Sequence, residues 1–257
     1  MVNKIKPVDL KDYQTKRKNQ GYSDSHADRE IGAARTVVNE AFMNGKIGGD
    51  PVKVFKQVKK LLKRNCNARD RVLTLDEFNG LMSHLPRHAK VLLAIGFYTG
   101  MRRGEILNLT WDKVELKGRV IRLEAGDTKD KQARNVPICE DLYKILLREA
   151  NPLRKAEDDN HVILYNGKPI GDPRAALRNA CEKANIPYGR NEKNGITFHD
   201  LRHTFNTLMR KAGVHDSVIM EITGHSTMEM FQRYNTVDEE DTKEAVRLFG
   251  AFVDGVR

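Results

Sequence analysis

Apolar residues recur at helical period over most of the chain. Ile31, Ala34, Val38, Ala41 and Phe42 fall on one stripe, and the spacing predicts a helix capped by Ser25 and ended at Asn44-Gly45. Residues 8–64 read as wholly helical apart from a turn at Gly48-Gly49-Asp50-Pro51, after which comes a basic stretch, 52–64. The polar segment Asn65 to Arg71 reads as a linker and a domain boundary. Beyond it Thr74 and Glu77 have the spacing of a capping box, each side chain able to satisfy a free amide at a helix start. An apolar helix, Ala89 to Tyr98, runs into Thr99-Gly100, where glycine suits a left-handed stop, and a short helix follows from Arg102.

The period then changes. Val120 to Leu123 and Arg134 to Ile138 carry β signals, and the polar loop 126–133 between them predicts a hairpin with a long, mobile tip. Helices resume at 140–149, at 172–184 with Asp172 as cap, and at 199–212 with a stop at Gly213. Ser226 and Glu229 have capping-box spacing and open a helix that contains Tyr234. A last amphipathic helix, 238–252, presents Ala245, Val246, Phe249, Phe252 and Val253. The pattern gives a mainly α fold with a small antiparallel β-sheet in an α+β second domain, 71–257, preceded by a short all-α domain, 1–70.

Composition adds a partner class. The net charge is +10, and residues 1–70 hold sixteen Lys/Arg against eight Asp/Glu, so +8 of it lies in the first quarter of the chain. Lys53, Lys56, Lys59, Lys60, Lys63 and Arg64 are its densest part. They read either as a surface for a phosphate backbone or as the solvated face of a helix. No apolar run approaches the roughly 18 residues of a membrane span, and Met1 to Leu10 has no apolar core of a signal peptide. Cys66, Cys139 and Cys181 follow neither metal nor disulfide spacing and suit small core positions in a reducing compartment.

Four segments carry chemistry. In His199-Asp200-Leu201-Arg202-His203, positions i and i+3 bring His199 and Arg202 to one helix face, where a guanidinium holds an anion and an imidazole moves a proton. His199 and His203 also have the spacing of two zinc ligands, but Asp200 stands where the metalloprotease motif has Glu and Arg202 sets a fixed positive charge alongside. In Thr99-Gly100-Met101-Arg102-Arg103-Gly104-Glu105, a helix start presents Arg102, with Glu105 placed to hold its guanidinium. Lys129 and Lys131 lie on the hairpin tip. Gly224-His225 ends one helix nine residues before Tyr234, a phenol that becomes a nucleophile only with cations or a base beside it. The set offers charge neutralisation, a proton donor and a nucleophile, the needs of phosphodiester cleavage, without a metal or other cofactor.

Taken in this order, the segments resemble the tyrosine recombinases of the phage integrase family: the first arginine box at 99–105, the β-hairpin lysine at Lys129, the H-x-x-R box at His199 and Arg202, and Gly224-His225 with Tyr234. The resemblance covers roughly 71–240, and residues 8–64 are similar to the later helices of the family's core-binding domain. It implies a cytoplasmic, nucleoid-associated enzyme, bacterial or phage-encoded, that acts on double-stranded DNA and assembles as a tetramer at synapsis. Tyr234 would attack the scissile phosphate to leave a 3′-phosphotyrosyl link, while Arg102, Arg202 and His225 hold the non-bridging oxygens. His199 would serve the phenol as acid–base, and Lys129 would protonate the departing 5′ oxygen. A type IB topoisomerase-like relaxing enzyme and a DNA-binding regulator with an idle site are the alternatives.

Overall fold

The computed structural model describes residues 2–63, 69–150, 159–232 and 239–255. The chain divides into two compact units, 1–67 and 68–257. Among the described residues no helix is long and apolar enough to cross a membrane.

The first unit holds α1 (Pro7–Asn19), α2 (Asp24–Met43) and α3 (Asp50–Gln57) around a small core of Ile31, Val38, Phe55 and Val58. The cap of α2 is Ser23, whose hydroxyl accepts from the His26 amide, and not Ser25, which lies inside the first turn. Asp50 and Pro51 belong to the first turn of α3 rather than to the preceding loop, as the fixed φ of proline allows. The helical expectation for 52–64 fails after Gln57. There the chain leaves the helix because Asp28 captures it: its carboxylate accepts from the amides of Leu61 and Leu62, both at 2.9 Å, and the buried Gln14 amide donates to the Lys59 carbonyl. These bonds satisfy in non-helical form the backbone groups that a longer helix would have paired.

The second unit is built on α5 (Arg87–Thr99), buried without a break from Val91 through Phe97. Around it lie α4 (Leu75–His84), opened by the capping box of Thr74 and Glu77, α6 (Arg103–Leu107), α7 (Glu140–Ile145), α8 (Arg174–Lys183) and α9 (Asp200–Lys211). Helix α7 passes into a π-helical turn, Leu146–Ala150, and at α8 the Asp172 carboxylate accepts from the Arg174 amide. Then come α10 (Asp216–Thr223), α11 (Met228–Gln232) and α12 (Glu239–Gly255). At α11 the hydroxyl that accepts from the first turn is that of Thr227, one residue after the expected Ser226. Tyr234 lies outside the described residues.

One antiparallel sheet runs in the order β1 (Val114–Glu115), β2 (Val120–Leu123), β3 (Arg134–Pro137), with Ile121 opposite Val136 and Leu123 opposite Arg134. A second pair, β4 (Leu164–Tyr165) and β5 (Lys168–Pro169), forms a short hairpin. Hydrogen bonds and an ion pair brace the connection from β2 to β3. The Thr128 hydroxyl donates to the Gln132 carbonyl and accepts from its amide, and Lys113 pairs with Asp127. Cys181 is a core residue, as expected, whereas Cys139 is exposed.

Close helix packing sets the place of the chemistry. A Cβ on Gly96 would meet Leu201 at 2.8 Å, so α5 and α9 approach where only hydrogen fits. Gly100 ends α5 in the left-handed region, φ 63°, with Phe205 of α9 and Thr223 of α10 against it.

The bonds to Asp28 fix the course of the basic segment after α3. Asp28→Ala should cost about 2 kcal/mol of stability, the range for a charge-assisted acceptor removed from two amides. Hydrogen exchange should speed at Leu61 and Leu62. Unchanged protection at both would show that Asp28 is not what holds this segment.

Candidate active site

Three arginines meet at the C-terminal end of α10. Arg134 Nε donates to the Ile222 carbonyl at 3.0 Å, Arg202 Nη1 to that of Thr223 at 2.6 Å, and Arg102 Nη2 to that of Gly224 at 3.0 Å. The last carbonyls of a helix lack intrahelical partners and carry the negative end of its dipole, so this is where cations dock. Each arginine arrives from a different element. Arg102 caps α6, Arg134 opens β3, and Arg202 lies in the first turn of α9. The convergence is tertiary, with no trace in local spacing.

Two carboxylates balance the charge. Glu105 is buried; its Oε1 accepts from Arg102 Nη1 at 3.0 Å, and its Oε2 accepts from the Arg102 amide at 2.9 Å and from Arg134 Nη2 at 2.5 Å. Asp130 accepts from Arg102 Nη2 at 2.7 Å. Burial works against the charged guanidinium of Arg102, but Glu105 and Asp130 outweigh it and hold its pKa above the ordinary value. The Nε–H and one Nη1–H of Arg102 make no hydrogen bond among the described residues, and its side chain keeps 18% of its surface in solvent.

Arg202 is turned inward. It is 2% exposed, and Nη1 also donates to the Gly100 carbonyl at 2.8 Å, tying the end of α5 to the end of α10. Its Nε and Nη2 face Nε2 of His225 at 3.3 and 3.1 Å. A guanidinium has no acceptor, so that nitrogen is the lone-pair side of the imidazole. The proton then sits on Nδ1, donated at 2.8 Å to the Thr223 hydroxyl, which in turn donates to the Ile219 carbonyl. Burial first, then the charges of Arg202, Arg102, His199 and Arg134, push the His225 pKa down to about 3.

His199 stands at the N-terminal end of α9, exposed, with Asp200 and Arg202 behind it. Desolvation by the surrounding protein, then the Arg202 charge, hold its imidazole below its ordinary value. Asp200 is buried and takes both ends of the Arg69 guanidinium, Nε at 2.8 Å and Nη2 at 2.9 Å, while it accepts from the Thr197 amide and hydroxyl. His203, the second histidine of zinc-ligand spacing, is buried inside α9. Among the described residues no group of three or more His, Cys, Asp or Glu is placed to hold a metal ion.

The structure thus brings Arg102, Arg202 and His225 together about one helix end, and the Glu105 carboxylate accepts from Arg102. Lys129 and Lys131 are exposed on the hairpin tip, and Lys129 adjoins Asp130, whose carboxylate reaches Arg102. Lys53, Lys56, Lys59, Lys60 and Lys63 are exposed in the first unit, and Lys53 pairs with Asp50. Arg64 lies outside the described residues. Arg134, Asp130 and Thr223 were not singled out from the sequence. Arg134 alone left a signal, a charged residue at a strand position facing inward beside Val136.

The sequence pattern of the phage integrase family matches residues 71–241. The integrase of Salmonella phage P22 is 28% identical over 178 residues, 65% of this chain and 44% of that protein. Tyrosine recombinase XerA of Pyrococcus furiosus is 27% identical over 181 residues, 68% of this chain and 60% of that one. The chain therefore spans less than two thirds of the length of both relatives. A Tn1549 transposon integrase in complex with a circular intermediate DNA has the same fold, with a TM-score of 0.74 at 19% identity over 95% of this chain and 86% of that one. The family match takes in every one of the four chemical segments and more than half of the sequence, and on that ground the chain belongs to the phage integrase family.

Proposed function

We propose that the chain is a site-specific DNA recombinase whose Tyr234 attacks a DNA phosphodiester, giving a 3′-phosphotyrosyl intermediate that a 5′-hydroxyl of another strand later resolves. The observation that carries this reading is the convergence of Arg102, Arg202 and His225 on the end of α10. Such a cluster is preorganised for the charge that grows on phosphorus, which is where enzymes gain most of their rate. In the step itself the phenol oxygen bonds to phosphorus and its proton passes to neutral His199. The bond from phosphorus to the 5′ oxygen breaks, and Lys129 gives that oxygen a proton. Arg102, Arg202 and His225 hold the non-bridging oxygens, and Glu105 fixes Arg102. Religation runs the same transfers backwards, so neither a metal nor a nucleotide enters the balance.

The substrate is double-stranded DNA, in the cytoplasm and on the nucleoid. Residues 1–70 act as part of a core-binding domain and linker, 71–257 as the catalytic domain. Lys53, Lys56, Lys59, Lys60, Lys63, Arg64 and Lys131 meet phosphates. Assembly as a tetramer on synapsed DNA is supported by α12, whose Val246, Leu248, Phe249 and Phe252 are all more than half exposed.

On a duplex selected from random DNA and nicked beside the cleavage point, the protein should form an adduct that survives denaturant and EDTA. The adduct should be absent in Tyr234→Phe and slowed about 10²–10³-fold in Arg102→Ala. An adduct that persists in Tyr234→Phe assigns the nucleophile elsewhere. Arg202→Ala is a poorer test, because it also orphans the buried Gly100 and Thr223 carbonyls.

The pH profile reads His199. A base acts when neutral, and its pKa is lowered in the free protein. The acid limb of kcat/KM should therefore lie below roughly pH 6.5, the ordinary imidazole value; a limb at or above it removes His199 as the base. Salt reads the lysines: glutamine at Lys56, Lys59, Lys60 and Lys63 together should flatten the plot of log Kd against log salt by about 0.9 for each phosphate that a lysine no longer meets. An unchanged slope would take DNA away from this segment.

A further inference from the structure

Arg134 is 7% exposed, and at the edge of a sheet such burial of a charge is tolerated only with partners on several sides. It has them. Nη2 meets the buried Glu105 carboxylate at 2.5 Å, Nε meets the Ile222 carbonyl at 3.0 Å, and the guanidinium lies so flat on Gly224 that a Cβ there would come within 2.9 Å of Nη1. Gly224 has φ 71°, so this residue is bound to glycine twice, by backbone and by space. Through Glu105 the guanidinium reaches Arg102, and through the 222–224 turn it reaches His225. These groups stand on separate elements, α6 and α10, and β3 supplies the cross-piece.

We propose that Arg134 is a positioning residue of the cleavage site: by bridging Glu105 and the last turn of α10 it sets the spacing at which Arg102 and His225 meet one phosphate. The inference rests on the recombinase reading above, and it gives the strand–loop segment a second task besides presenting Lys129. A fork with donors in two directions is required, which lysine lacks. Glu105 needs the second cation as well. Without Arg134 it would face Arg102 alone, with the Ile222 carbonyl left unpaired inside the protein.

Single-turnover cleavage of the selected, nicked duplex tests this with Arg134→Lys, Arg134→Met and, as a control, Val136→Ala, which loosens the packing of β3 but removes no donor to Glu105 or to the Ile222 carbonyl. Both Arg134 variants should lose roughly 100-fold in the rate at saturating DNA, the loss expected when catalytic groups shift by about 1 Å. The half-saturating DNA concentration should stay within about twofold, and Val136→Ala should keep the wild-type rate even at an equal drop in Tm. The inference is overturned if Arg134→Lys cleaves at the wild-type rate, if Val136→Ala loses as much as the Arg134 variants, or if only the half-saturating concentration moves. Failure of the wild-type protein to form any adduct is a different result: it removes the recombinase reading and this inference with it.

Discussion

The end of α10 is the point on which the site is assembled. A helix terminus offers carbonyls without partners, and here successive ones, from Ile222 to Gly224, each take a guanidinium from a different element. Two unit charges about 6 Å apart still repel by ~3 kcal/mol at an effective dielectric near 20. A cluster of three arginines is therefore stable only with compensation close at hand. Glu105, Asp130 and the helix dipole supply it. The short helix α10 serves as an anchor for cations, and the loop it ends in carries His225.

The same crowding decides the state of the imidazoles. His225 is buried against Arg202 with its acceptor nitrogen toward the guanidinium, and a proton on that nitrogen would meet positive charge from several directions. His199 feels the same field more weakly, at the exposed start of α9. Both imidazoles are held toward the neutral form. A phosphate held in the cluster would bring the opposite charge and favour protonation again, so substrate charge and histidine protonation are coupled by position alone.

Local chemistry was legible where the signal and the structure share a length scale. The Thr74–Glu77 box and the left-handed stop at Gly100 depend on neighbours a few residues away, and the sequence places them correctly. Cap assignments slipped by one or two residues, to Ser23 and Thr227, because several hydroxyls stand near each helix start and only the backbone angle selects among them. The early end of α3 was hidden because its cause, Asp28, is thirty residues upstream. Strand β1 has two residues and no pattern of its own; its pairing with β2 makes it a strand. Asp130 and Arg134 were read as loop and strand polar residues, since nothing in a hairpin tip tells that its partners come from α6 and α10.

A division of labour follows from the donors. Arg202 directs its N–H groups to Gly100, Thr223 and His225, and Arg134 directs its own to Glu105 and Ile222, all of them inside the protein. These two arginines are the frame: they join α5, α9, α10 and β3, and removing either would be felt in folding as well as in chemistry. Arg102, His199 and Lys129 form the open face. Arg102 keeps two N–H groups without a hydrogen bond among the described residues, His199 and Lys129 are exposed, and Asp130 is the one carboxylate of the pair that a shift of the hairpin tip would carry away from Arg102. On the reading proposed above, Arg102 would trade Asp130 for a phosphate oxygen, whereas Arg202 and His225 would have to turn donors toward it from Gly100, Thr223 and each other.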